Sequence, residues 1–149
     1  MPSPESTAHL RSIMVPVDGS HASLQAVALA CDIAHKNKGR VSVVHVIEVK
    51  RTMPLDAELE TEAAAGEEVL AQAARVAREQ DFDVDSEILQ AREASHAIVD
   101  EAIERGVDLI ILGMEYQKPF GDFQLGRVIQ HVMRSAPCEV WVCRHPVQE

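Results

Sequence analysis

Few residues in this chain are spaced for covalent chemistry. The segment GDFQLGR (121–127) has the glycine spacing of a phosphate-binding P-loop. It lacks the lysine and the Ser/Thr that would hold phosphate and magnesium, and no strand leads directly into it. No GxSxG elbow is present, and no Ser-His-Asp set is suggested by local context. The histidines, at 9, 21, 35, 45, 96, 131 and 145, form neither HxH nor HExxH pairs. His45 sits in an apolar run and reads as a satisfied core histidine, whereas His21 and His96, near helix starts, read as surface groups. Cys31, Cys138 and Cys143 make no CxxC pair and no zinc spacing, so they read as small core side chains of a reducing compartment.

The chemistry that remains is non-covalent. Arg127 follows a glycine at a helix start, where guanidinium and helix N-terminus could grip an anion together. The same arginine could instead face solvent or pair with Asp122 or Glu115. The loop 114–125 is long for a compact domain and holds Tyr116, Phe120 and Phe123, most of the chain's few aromatics. These rings could stack on a base or fold inward and close a pocket, and closure is the favoured reading.

The elements that must position these groups are legible from apolar patterning. SIMVPVDGS (12–20) is a short strand that closes on a turn and helix cap at Asp18, Gly19 and Ser20. Leu24, Val27, Ala28, Cys31 and Ala34 then share one helical face, and Gly39 is a natural stop. VSVVHVI (41–47) and VDLIILG (107–113) are continuous apolar strands, the mark of burial on both sides. A helix over 56–80 carries Leu59, Ala63, Gly66, Leu70, Ala73 and Ala77 in a stripe that suits a coiled coil or, better for such small residues, a sheet. FDVDSEIL (82–89) alternates as a strand, 94–105 is a helix with Ile98, Ala102 and Ile103 inward, 126–134 is a helix, and CEVWVCR (138–144) is the last strand.

This alternation predicts an α/β fold: one open five-stranded parallel sheet with helices on both faces and right-handed crossovers. Ligands of such sheets bind beyond the carboxyl ends of the strands, where the strand order reverses. In the order 3-2-1-4-5 that crevice lies between Asp18 and the loop after Gly113. The order is consistent with Asp83, Asp85 and Glu87 guarding an exposed third strand. It is consistent also with Pro16, which a central strand tolerates only where it is ending and opening toward a ligand. Pro16, Val17 and Asp18 therefore fall at the mouth. The last strand offers Val140, Trp141 and Val142 with only Glu139 as a guard, which fits a dimer through that edge or a Trp141 packed under a helix.

Composition bounds the functions. The 149 residues, 46% hydrophobic and 26% charged, suit one globular domain, with residues 1–11 a flexible polar tail and 12–146 the folded unit. A net charge of -10 excludes nucleic acid as a natural partner but not a small anion held by amides and one cation. No apolar run suits a membrane helix and the first residues show no secretory signal, so the expectation is a cytoplasmic protein or the soluble domain of something larger.

From residue 12 to residue 144 the chain resembles the universal stress protein family. IMVPVDGS, VSVVHVIE, GVDLIILG and SAPCEVWVCR carry the likeness by their order and spacing. The resemblance implies the order 3-2-1-4-5, a homodimer through the last strand, and in one branch ATP or AMP binding. That branch has the pattern Gly-x2-Gly-x9-Gly-(Ser/Thr) after the fourth strand. Here Gly113 and Gly126 match its outer glycines, while Tyr116 and Arg127 replace the second glycine and the Ser/Thr. By the same resemblance Asp18 faces the adenine, Val46 meets it through its backbone, and Val128 offers an amide to phosphate. Asp18 could equally cap the first helix, and Val46 could simply be core. The 114–125 loop and AREASHAIVDEA resemble a sub-branch appended to membrane amino-acid transporters. The function expected is a non-enzymatic stress-response module that binds an adenine nucleotide (ATP, AMP or a cyclic nucleotide) in a modified site. The alternative is a nucleotide-free interaction module acting through its dimer or a membrane transporter, and slow ATP hydrolysis is a third reading.

Overall fold

The computed structural model describes residues 6–116 and 126–147. Strands β1 (Ser12–Pro16), β2 (Arg40–Glu48), β3 (Asp85–Ala91), β4 (Leu109–Tyr116) and β5 (Glu139–Pro146) alternate with helices α1 (His21–Asn37), α2 (Glu60–Arg78), α3 (Ala94–Arg105) and α4 (Arg127–Ser135). The strands form one sheet in the order β3-β2-β1-β4-β5, every neighbouring pair parallel, as the sequence predicts. The order reverses at β1, which lies between β2 and β4.

The continuous apolar runs are explained by two cores, one on each face of the sheet. Ile13, Val15, Val43 and Ile111 point to α1 and α2, while Met14, Val44, Ile110 and Leu112 point to α3 and α4. In α2, Leu70, Ala73 and Ala77 join the first core, so the small-residue stripe serves the sheet rather than a coiled coil. In α1 the fully buried line runs through Ala22, Ala26 and Ala30 beside Val27, Cys31 and Ala34. Leu24 and Ala28 sit at its margin. Alanines at the centre of that face let the helix lie close on the sheet.

Several sequence expectations are revised. Ile103 is not inward: it is 58% exposed, and Ser95 and Val99 fill the inner face of α3 beside Ile98 and Ala102. The left-handed residue that stops α1 is Lys38, not Gly39. Asp83 lies before β3, so the charged guards on that edge are Asp85 and Glu87, the latter paired with Arg105. Residues 7–11, expected to belong to a flexible tail, are tied to the fold. Leu10 is fully buried in the first core, and Asn37 Nδ2 donates to the carbonyls of Thr7 (2.6 Å) and Leu10 (2.9 Å). Asp108 Oδ2 accepts from the Ser12 amide at 2.9 Å, which fixes the entry into β1.

On β5, Val140 and Val142 pack against one core and Trp141 and Cys143 against the other. The Trp141 indole N–H donates to Glu139 (2.6 Å), so this side chain is packed on the sheet face with its polar tip satisfied. Among the described residues no strand pairs the outer edge of β5. No described helix is long and apolar enough to cross a membrane.

Candidate functional site

A cavity of about 420 Å³ opens at the carboxyl ends of β1, β2 and β4, at the point where strand order reverses. Pro16, Val17 and Asp18 line it from β1, Val46 from β2, Gly113 from β4, and Gly126, Arg127 and Val128 from the start of α4. The residues singled out in the sequence are thus brought together, with one exception. Tyr116 does not line the cavity. It is the last residue of β4, has no left-handed backbone, and lies under the Arg144 guanidinium, 3.7 Å from the ring centre. Its carbonyl accepts from the Val147 amide at 2.9 Å, so the β4–β5 ladder runs past Gly113 and carries Tyr116 away from the crevice. Phe120, Phe123 and the rest of loop 117–125 lie outside the described residues, as does Asp122.

The β1 wall is held open by Pro16 and closed again by hydrogen bonds. β1 ends at Pro16, whose ring could not have donated to a neighbouring strand, and the Val17 amide donates to Val44 O at 2.9 Å. The Val17 carbonyl accepts from His45 Nδ1 at 2.8 Å; a carbonyl only accepts, so that nitrogen carries the proton. His45 is a satisfied structural histidine, as its strand position suggests. Asp18 does not cap α1 directly. Ser20 is the cap, its hydroxyl accepting from the Ser23 amide at 3.2 Å, and Asp18 Oδ1 accepts from the Ser20 amide at 2.9 Å.

Burial alone would raise the Asp18 carboxyl, but hydrogen bonds from Ser20 and Ser23 outweigh it and hold the group below the usual carboxylate value. A carboxyl lowered by folding stabilises the fold above its unfolded pKa, and that contribution is lost as pH falls through the folded value. The melting temperature should therefore fall more steeply in the wild type than in Asp18→Asn below about pH 4. Parallel thermal scans across acid pH would check it; the difference is small because the residue is exposed.

All four described helices begin at this end of the sheet. α2 carries its own acidic residues, Glu60 and Glu62, in its first turn, and the chain treats α1, α3 and α4 differently. At α1 the Ala22 amide donates to Glu115 Oε1 (3.1 Å), and at α3 the Ala94 amide donates to Glu48 Oε2 (2.8 Å). Each of these N-termini thus holds a carboxylate from a strand end, in keeping with the helix dipole. The first residue of α4 is Arg127, its cap residue Gly126 makes no side-chain bond, and its first turn lines the cavity with no carboxylate bonded to it among the described residues. Glu115 is committed to α1, and Arg127 has no ion-pair partner among the described residues.

The outer glycines serve different ends. Neither has a left-handed backbone. A Cβ on Gly126 would meet no described atom within 4 Å, so nothing there but space for a neighbour argues for glycine. A Cβ on Gly113 would lie 2.2 Å from the Ala22 carbonyl oxygen, so this glycine lets α1 cross β4 at close range.

Sequence reasoning missed Glu48, Ser23, Ala94, Ile98 and Leu112 as lining residues. Glu48 carried a signal: it is the charged residue that ends an apolar parallel strand on the ligand side of the sheet. The others look like ordinary helix and strand residues and gave none.

This fold and this crevice define an open, doubly wound α/β domain with a cleft where its strand order reverses. The chain belongs to the universal stress protein family, whose model matches residues 9–144. A universal stress protein of Methanocaldococcus jannaschii is 30% identical over 145 residues, spanning 93% of this chain and 85% of the relative. Among solved structures, the universal stress protein from Archaeoglobus fulgidus in complex with dAMP superposes with a TM-score of 0.71 at 21% identity, covering 89% of this chain and 96% of that one. A universal stress protein family protein from Arabidopsis thaliana with AMP bound gives 0.67 at 16%, covering 91% and 92%. At those identities the two structures establish the fold.

Proposed function

We propose that this chain is a non-enzymatic, cytoplasmic stress-response module that binds an adenine nucleotide (ATP, AMP or a cyclic nucleotide) in the β1–β2–β4 crevice. The observation that carries this reading is the cavity whose α4 wall combines a helix start without a side-chain cap with Arg127, while the starts of α1 and α3 beside it are filled by Glu115 and Glu48. An anionic ligand has one natural berth there. The complexes of similar folds with dAMP and AMP support the choice of ligand class. The site departs from the family's binding pattern by charge at Arg127 rather than by Tyr116, which lies elsewhere.

Calorimetric titration with ATP, AMP and cyclic AMP tests the reading. Heat of binding with a raised melting temperature supports it; neither heat nor a shift at high ligand concentration overturns it. Phosphate release from ATP above a blank would remove the non-enzymatic part. Arg127→Ala should weaken AMP roughly tenfold and leave adenosine unchanged, because a charge-assisted contact to phosphate is lost and nothing else. The loss should shrink as salt is raised, since Arg127 is exposed.

The unpaired β5 edge favours a second, compatible element: a homodimer through the strand of Val140, Trp141 and Val142. Light scattering that finds only monomer over a wide concentration range would remove it. If no nucleotide binds and the dimer stands, the chain is an interaction module working through its own copies or a membrane transporter.

A further inference from the structure

The cavity is asymmetric in its hydrogen-bonding chemistry. On the α4 side it presents the start of the helix and Arg127, the only lysine or arginine among its described lining residues. On the far side of β1, where β2 ends against α3, it presents Glu48. A carboxylate accepts and does not donate. Glu48 Oε2 is occupied by the Ala94 amide at 2.8 Å, which fixes the group, and Oε1 has no donor among the described residues. Arg92, which follows β3, makes no ion pair with Glu48; its Nη1 donates to the carbonyls of Lys50 (2.5 Å) and Met53 (2.8 Å). Between the two ends Val44, Val46, Ile98 and Leu112 give an apolar surface suited to the flat faces of a heterocycle. The polar groups beside them are engaged locally, Asp18 with the Ser20 amide and His45 with the Val17 carbonyl.

A nucleotide anchored by phosphate at α4 therefore extends its base toward an acceptor. We infer that Glu48 selects the base, favouring one whose far edge carries an exocyclic amino group over one carrying a keto oxygen. An amino group gives Glu48 Oε1 a donor from the ligand, whereas a keto oxygen sets two acceptors against each other. This rests on the nucleotide reading above and names the residue that would make it specific for adenine.

The test compares AMP with IMP, which share ribose and phosphate and differ at the amino or keto position. Calorimetry on the wild type should show AMP bound about tenfold tighter, the scale set by one unpaired acceptor. In Glu48→Gln the amide oxygen can still accept from Ala94, which leaves the NH2 group as the free end, a donor. The preference for AMP should then vanish or turn toward IMP, with the melting temperature near that of the wild type. Equal binding of AMP and IMP by the wild type overturns the role of Glu48 and leaves the nucleotide reading standing. An unchanged preference in the folded variant overturns it too, and a wild type that binds neither nucleotide overturns both. If that variant fails to fold, Glu48→Ala takes its place: loss of the AMP preference supports the role of Glu48, and an unchanged preference overturns it.

Discussion

Gly113→Ala should be among the most damaging single substitutions in the domain, although it adds only one methyl group. The new Cβ would stand 2.2 Å from the Ala22 oxygen, 2.4 Å from its carbonyl carbon and 2.8 Å from the Ser23 nitrogen. All three are backbone atoms of the first turn of α1, so no rotamer change relieves the clash. The helix cannot retreat cheaply, because Ala22, Ala26 and Ala30 are fully buried against the sheet and Val27 and Cys31 are locked beside them. Overpacking of this kind costs about 3 kcal/mol, and a rigid neighbour puts it at the upper end. Urea denaturation would read it as a lowered midpoint at unchanged m-value. A second consequence separates this substitution from a plain core defect. Displacing the start of α1 strains the Ala22–Glu115 and Ser20–Asp18 hydrogen bonds, and Asp18 lines the crevice. AMP affinity should fall along with stability in Gly113→Ala. In Gly126→Ala, whose Cβ meets no described atom, the stability should hold. A Gly113→Ala protein as stable as the wild type would show that α1 is not seated as described.

The fold was legible because burial writes itself into periodicity. VSVVHVI and VDLIILG are apolar on successive residues, and only a strand covered on both faces asks for that. Pro16 fixed where β1 ends, since a proline deeper in the strand would break the ladder to β2 or β4. Helix faces were read less well where neighbours decide. Ile103 follows the apolar spacing of α3 yet faces solvent, because α3 also packs against α4 and the buried stripe is turned toward Ser95 and Val99. The site was legible where it follows from topology and obscure where it follows from capping. Pro16, Asp18 and Gly113 lie at strand ends that the strand order brings together. Tyr116 looked like part of a loop, but pairing of β4 with β5 continues to Tyr116 and Pro146 and carries it off. Glu48 and Glu115 were lost among many surface carboxylates. Their partners, the amides of Ala94 and Ala22, are distant in sequence and carry no side-chain signature.

Leu10→Ala should cost about 3 kcal/mol, as for a leucine wholly removed from water and left as a cavity. In the sequence Leu10 is one apolar residue in a polar stretch, and such a residue ordinarily earns no place in a core. Here four hydrogen bonds seat it. Asn37, the last residue of α1, draws the Thr7 and Leu10 carbonyls onto its amide; Asp108, just before β4, takes the amides of Arg11 (3.2 Å) and Ser12 (2.9 Å). The chain is thereby held across the amino ends of the strands, and Leu10 closes the first core at 0% exposure. The side chain and its tethers should act as a unit. Asn37→Ala should cost less than Leu10→Ala, on the order of 1–2 kcal/mol for two lost hydrogen bonds to backbone. The double variant should then fall short of the sum, because once Leu10 is gone the tethers hold little. A denaturation cycle on the two single variants and the double one measures this. Strict additivity would mean that the N-terminal segment and the core are held independently. A Leu10→Ala midpoint equal to the wild type would return residues 6–11 to the flexible tail that composition alone suggests.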